Sequence, residues 1–361
     1  QPAERLRPTP QQTEGPFYPV QLPADHDADL LRAGARQYAQ GAPAWVEGTL
    51  TDLDAFIDHG DPLLNMVRHR AESHGLALLA LASAPLGWLA ARLSGQPDLW
   101  RRWWLAMALA LITHPLLDTL TVYGTQLLQP FSNHPFAVGS VFIIDPFYTL
   151  PLLLGVLVAV IGSSTKGLRW NAAMLALSTA YLGWSVLAQQ HVRGVLEASL
   201  RHNGMATSQM LVTPAPFSTV LWRAVAMGPE HYHEAYYSLL DGAHPVAWTS
   251  HPRGADLRLQ HADNPHVQRL SWFSHGFMRM QANSQGRLTI TDLRMGLEPC
   301  YSFHFDIGPA HSPVSETGPV VQQWQRPDLS MALPWLWRRL TDPTAGTLSS
   351  VQGGISCGTA P

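Results

Sequence analysis

Four apolar stretches in succession constrain this chain more than any other feature. Residues 75–93 read GLALLALASAPLGWLAARL, and 103–120 read WWLAMALALITHPLLDTL. Residues 136–161 read FAVGSVFIIDPFYTLPLLLGVLVAVI, and 171–187 read NAAMLALSTAYLGWSVL. A helix needs roughly 20 mostly apolar residues to cross a bilayer core, with a working range of roughly 17–25. Each stretch is near that length. Short basic links, Arg101-Arg102 and Lys166 to Arg169, separate them. Four in a row favour membrane helices over the buried helices of a soluble bundle. Several tryptophans, among them Trp88, Trp100, Trp103, Trp104, Trp170 and Trp184, lie in or near these stretches, some at ends where an aromatic belt would place them. Basic residues occur in several connections, so the positive-inside rule alone assigns no orientation.

The sequence on either side differs. Residues 1–48 are polar and rich in Pro and Gly, and the chain from about 190 onward is mixed and soluble-looking. Charged residues make up 14% of the chain against a usual ~25%. A net charge of −3, with no basic stripe, gives no hint of a nucleic-acid partner, and none is expected. The expected fold is an α-helical polytopic membrane domain followed by a smaller soluble α+β domain. The divisions fall at 1–50, 51–190, 191–341 and a Gly/Ser/Thr-rich tail, 342–361, expected to be disordered. In the soluble part, 230–240 reads as a short helix or strand. Residues 267–281 and 287–292 read as strands joined by a hairpin connection at 281–286. A short helix starts at 334–340 with Pro334 in its first turn. Cys300 and Cys357 are too few for a disulfide framework, and their spacing fits no metal motif.

Ionisable residues interrupt the apolar stretches. His114 and Asp118 are four apart and share one helix face. In lipid such groups are costly and face a cavity or a partner. An imidazole with a carboxylate suits Zn, Mn or Fe; the plainer alternative is a buried His–Asp hydrogen bond that orients helices. His69 and His74 open the first apolar stretch in a loop or helix start. Asp52, Asp54, Asp58, His59 and Asp61 precede them, offering oxygen ligands or a solvated acidic turn. Asp145 lies inside an apolar run beside Pro146. The clustering of these groups at or within apolar segments points to mutual pairing or a metal. Elsewhere, Ser271, Ser274 and His275 form no Gly-x-Ser-x-Gly elbow and read as structural strand residues. His231 and His233 have strand spacing for a metal pair but no third ligand nearby.

Several motifs carry a family resemblance. They are DLD at 52–54, GDPLLN at 60–65, HRAESH at 69–74, HPLLDTLTVYGTQLLQPFS at 114–132 and VFIIDPFYTLPLL at 141–153. TPAPFSTVLWR at 213–223, YYSLLD at 236–241, WFSHGF at 272–277 and TDLRMG at 291–296 follow in order. Residues 52–361 thereby resemble the bacterial inner-membrane, membrane-bound metal-dependent hydrolase family. The resemblance implies a multi-pass protein of the bacterial inner membrane, with lipids as neighbours and a divalent metal ion (Zn, Mn or Fe). Its ligand positions would be Asp54, His69, His74, His114 and Asp118, with Asp52 and Asp145 as lesser candidates. It leaves the substrate open; a lipid-linked one follows only from location. Glu72 or Asp52 would serve as general base.

The family's helix before the DLD motif is missing here. In its place, RPTPQQTEGPFYP at 7–19 resembles the start of intradiol ring-cleavage dioxygenases, fading near 45–54. A join is expected at 48–54. The tyrosine and histidine iron ligands of those enzymes have no counterpart downstream, so that activity is not carried over. The non-enzymatic alternative is a structural membrane protein whose His–Asp pairs serve helix packing alone.

Overall fold

The computed structural model describes the strand pair Arg32–Ala33 and Arg36–Gln37, residue 54, and residues 57–162, 165–310, 320–348 and 357–359. Asp52 and most of the dioxygenase-like segment lie outside the described residues. What is described is a helical N-terminal region followed by a C-terminal domain rich in β-sheet.

The helical region starts with α1 (Pro62–Arg68). Asp61 caps it by accepting from the Leu63 and Leu64 N–H groups, and Pro62 fills the first-turn position that needs no donor. Two antiparallel hairpins follow. The first pairs α2 (Leu76–Leu93) with α3 (Trp100–Asp118), and the second pairs α4 (Pro146–Gly162) with α5 (Thr165–His202). Small residues let the helices close on each other. A Cβ on Gly87 would lie 2.4 Å from the Trp104 Cα, and one on Gly155 would lie 2.9 Å from the Met174 Cβ. The outward faces are apolar and exposed, with Leu81, Leu105 and Leu109 on one hairpin and Leu150, Leu168 and Leu175 on the other.

The helices differ in part from the four expected spans. Leu76–Leu93 and Thr165–His202 are long and apolar enough to cross a membrane, while Pro146–Ile161 is apolar but shorter. Trp100–Asp118 opens on Trp-Arg-Arg and closes on His114 and Asp118, which lowers its hydropathy. The run 136–161 is not one helix. Its first ten residues extend away from Thr125↔Phe136 pairing, and helix begins only at Pro146. Asp145 therefore sits at a helix start, accepting from the Phe147 N–H at 3.0 Å. Helix α5 continues past residue 190, because Ala188, Val192 and Leu196 pack on the sheet beyond it.

In the C-terminal domain, β1 (Gln209–Pro214), β2 (Leu221–Met227), β3 (His231–Ser238) and β4 (Trp248–Pro252) form an antiparallel meander. One face of β2, with Trp222 and Ala224, packs on α5. Its other face carries Val225 and Met227, which meet Phe277, Leu293 and Tyr301. After α6 (Ala255–Gln260) and α7 (Pro265–Phe273) come β5 (Met278–Ala282), β6 (Arg287–Asp292), β7 (His304–Pro309) and β8 (Val321–Gln322). They form a second sheet in the order β8-β7-β6-β5. The core beneath it joins Val267, Leu270 and Phe273 of α7 to Leu63, Met66 and Val67 of α1 and to Tyr123. Helix α1 thus ties the hairpin region to the domain.

The segment 267–281 differs from the single strand expected. Asn264 caps a helix over its first half, Pro265 starts it, and Val267, Leu270 and Phe273 recur at helical spacing. Ser271, Ser274 and His275 accordingly belong to that helix and the turn after it, not to a strand. The hairpin at 281–286 and the strand at 287–292 are present. The helix expected to start at Pro334 starts earlier, as α8 (Leu329–Thr341), capped by Asp328, with Pro334 inside it. The two cysteines are paired. Cys300 and Cys357 form a disulfide that brings β10 (Cys357–Thr359) against β9 (Gln325–Pro327). The described parts of the expected tail are therefore placed on the domain, and Leu348 is buried there.

Candidate metal centre

The turn between α1 and α2 gathers most of the residues singled out above. Helix α1 ends at Arg68, and Arg70 adopts a left-handed backbone (φ 64°), which few non-glycine residues do. That reversal folds 69–74 back on itself, so that His69 and His74 both turn toward Asp54. His74 lies in the short helical turn Glu72–His74 just before α2. His114 and Asp118 come from the last turns of α3, whose end meets the start of α2 in the hairpin.

The ring of His74 is fully buried, with a different partner at each nitrogen. Its Nε2 lies 3.2 Å from Asp118 Oδ2, and His114 Nε2 lies 3.5 Å from the same oxygen. One ligand atom from each of His74, His114 and Asp118 lies within 4.8 Å of the others. On the far side, His74 Nδ1 is 2.8 Å from Ser73 Oγ. The Ser73 hydroxyl donates its one hydrogen to Asp54 Oδ2, so Nδ1 must be the donor toward Ser73. In the neutral imidazole the lone pair then sits on Nε2, facing His114 and Asp118.

Asp54 holds this arrangement from behind. It accepts from the Arg70 N–H at 2.9 Å and from Ser73, and its Oδ1 is 3.2 Å from His69 Nδ1. Burial alone would raise the Asp54 carboxyl; His69, Ser73 and the Arg70 N–H outweigh it and lower the value to about 2. Arg70 reaches the other carboxylate. Its guanidinium is 3.3 Å from Asp118 Oδ1, donates to Thr121 Oγ1 at 3.1 Å and lies over the Tyr123 ring at 5.2 Å. Tyr123 in turn donates to the Met66 carbonyl and packs edge-on to Phe273 of the domain.

Two imidazole nitrogens and a carboxylate oxygen, with no sulfur, suit zinc, manganese or iron. Asp118 Oδ2 is buried, with both imidazole nitrogens within 3.5 Å of it. The donor set fits such an ion. Asp54 and His69 stand one step behind the three-atom group, on the opposite side of His74. Glu72 is exposed on its turn. Asp145 is elsewhere, accepting from the Tyr181 hydroxyl at 2.8 Å, which also contacts Thr219.

Reading residues one by one missed Arg70, Ser73 and Thr121. The HRAESH motif contains the first two, yet nothing in it marks a left-handed arginine or a serine relay. His231 and His233 flank Tyr232 on β3, and His233 bonds Ser250. The buried pairs Arg223–Glu234, Arg279–Glu298 and Arg294–Asp292 were also invisible. They are matched one to one, and the contacts that cross between the sheets run from Arg223, which donates to the Leu293 carbonyl, and from Tyr232, whose hydroxyl donates to Glu298.

Residues 28–192 match the family model described as YdjM inner membrane protein. The match starts upstream of the join expected at 48–54. A Bacillus subtilis (strain 168) protein described as uncharacterized protein YfhP is 25% identical over 131 residues, or 36% of this chain. The matched part spans 39% of that protein's length. No solved structure matches. The stretch that carries Asp54, His69, His74, His114 and Asp118 is thus the stretch that matches an inner-membrane protein family.

Proposed function

We propose that this chain is a multi-pass inner-membrane protein that binds one divalent metal ion through His74, His114 and Asp118 and acts as a metal-dependent hydrolase. The observation that carries the reading is the convergence of three ligand atoms, within 4.8 Å, from the two ends of one apolar hairpin. Carboxylate and imidazole groups at such a place are retained for a partner or an ion.

When bound, a divalent ion supplies Lewis acidity and makes water a competent nucleophile near neutral pH. The chain's own residues do the rest. Ser73 and Asp54 fix the tautomer and ring plane of His74. Arg70 holds Asp118 by its second oxygen, leaving Oδ2 for the ion. His69, oriented through Nδ1 by Asp54 and about a quarter exposed, can accept a proton at Nε2. It is better placed for that than Glu72, whose side chain is exposed on the turn. The site lies at the ends of apolar helices, at the depth of lipid headgroups, so the substrate class is a lipid or lipid-linked ester.

A structural role is the second reading, and the Arg70–Asp118 pair favours it, since one carboxylate is already neutralised. Elemental analysis of detergent-purified protein separates the two. The metal reading expects about one equivalent of a divalent metal in the wild type and none in His114→Ala with Asp118→Ala. A folded wild type that holds none, and takes up none from added zinc, manganese or iron, would leave the structural role.

A further inference from the structure

The two hairpins run in the same direction from the domain. Helix α2 starts and α3 ends at the His–Asp cluster; α4 starts at Asp145, beside Tyr181 of α5. The far ends, or tips, are where α2 ends at Leu93 and α3 starts at Trp100, and where α4 ends at Gly162 and α5 starts at Thr165. At about 1.5 Å per residue, the 18 residues of α2 span about 27 Å, close to the roughly 30 Å of a bilayer core.

The chemistry of the two ends differs. The tips carry Arg92, Arg101, Arg102, Lys166 and Arg169, with one acid, Asp98. Arg92 lies over the Trp88 ring at 4.9 Å and Arg101 over Trp100 at 5.8 Å, the amphipathic pairing of a headgroup layer. The third short connection, 119–145, is on the domain side and has no lysine or arginine. Of the basic residues flanking the helices on that side, Arg70 pairs with Asp118 and Arg193 donates to the Met210 carbonyl, while Arg68 and Arg201 are exposed. Independently, the domain contains the Cys300–Cys357 disulfide, which persists in oxidising compartments and is rare in the cytosol.

We propose that the hairpin tips are a contact surface for the anionic headgroups of the cytoplasmic leaflet, which puts the His–Asp cluster and the disulfide-bonded domain on the outer, oxidising face of the membrane. The proposal rests on the membrane-crossing part of the reading above and is independent of the metal. It restricts the substrate class to lipids or lipid-linked molecules exposed at the outer leaflet. The positive-inside bias and the disulfide agree on this orientation.

Two single-thiol variants of the full chain test it. Ser94→Cys places a thiol at the first tip and Ser284→Cys places one in the exposed β5–β6 turn. Both are treated with a membrane-impermeant maleimide, in spheroplasts and in inverted vesicles. The expected result is Ser284→Cys labelled in spheroplasts and Ser94→Cys labelled only in inverted vesicles. The reverse pattern overturns the orientation while keeping the crossing. Labelling of both thiols from one side overturns the crossing itself, and the orientation with it.

Discussion

His74 has two ring nitrogens, and the fold uses them for different tasks. Nδ1 gives its proton to a serine already committed to Asp54, and Nε2 faces His114 and Asp118. Partners behind a metal-binding histidine typically change affinity 10–100-fold. Ser73→Ala is therefore expected to weaken zinc binding by about tenfold, measured by competition with a chromophoric chelator, while Ser73→Thr restores it. Equal affinity in all three proteins would remove Ser73 from the site. Arg70 makes a second case. Breaking a buried ion pair by removing one partner costs about 3–5 kcal/mol. Arg70→Gln should lower the melting temperature of metal-free protein sharply, and added metal should recover part of the loss by compensating Asp118. A melting temperature unchanged from wild type would mean that the Arg70–Asp118 contact contributes nothing.

At the scale of elements, the cluster depends on how closely α2 approaches α3, since His74 precedes one helix and His114 sits on the other. Gly87 sets that approach. A side chain there would meet the Trp104 backbone, so Gly87→Ala should cost about 1–3 kcal/mol of stability and reduce metal occupancy together with it. Gly183 is the control, because a Cβ there meets nothing within 4 Å. Gly183→Ala should be neutral or stabilising by up to about 1 kcal/mol. Thermal unfolding in detergent, with metal analysis of each variant, checks the pair; equal behaviour would contradict the close crossing.

Much at this scale was legible in the sequence. The apolar stretches gave the helices, and the spacing of His114 and Asp118 gave their shared face. The hairpin at 281–286 followed from turn residues between alternating strands. What was not legible depended on partners distant in the chain. Residues 267–281 mix aromatic and β-branched residues, which favoured a strand, and the helix over the first half is decided by the Asn264-Pro265 start with Val267, Leu270 and Phe273 at helical spacing. Asp145 looks like an intramembrane carboxylate until Tyr181, from another helix, is placed beside it. Cys300 and Cys357 are 57 residues apart, and nothing local to either tells that β9 and β10 will pair.

At the scale of the whole molecule, the domain and the hairpins share one core, with Leu63, Met66, Val67 and Tyr123 packed against α7 and the second sheet. Loosening the domain should therefore disturb the cluster. His304 offers a way to do so by pH. Burial and the neighbouring Arg279 lower its imidazole to about 4, with Asp306 acting weakly the other way. The unfolded chain binds that proton near pH 6.5, so stability is complete above pH 6.5 and is lost as pH falls toward 4. The loss is on the order of 3 kcal/mol. Denaturant unfolding across this range should show it, and His304→Gln should flatten the dependence. An unchanged slope in that variant would assign the acid sensitivity elsewhere.

If His74, His114 and Asp118 hold one divalent ion, its ligand shell carries their signature. X-ray absorption at the edge of the metal found in purified protein tests it most directly. The expected result is a shell of nitrogen and oxygen at roughly 2.0–2.2 Å that includes two imidazoles, one of them lost in His114→Ala. A shell containing sulfur, or one with no imidazole and no change in that variant, would contradict it.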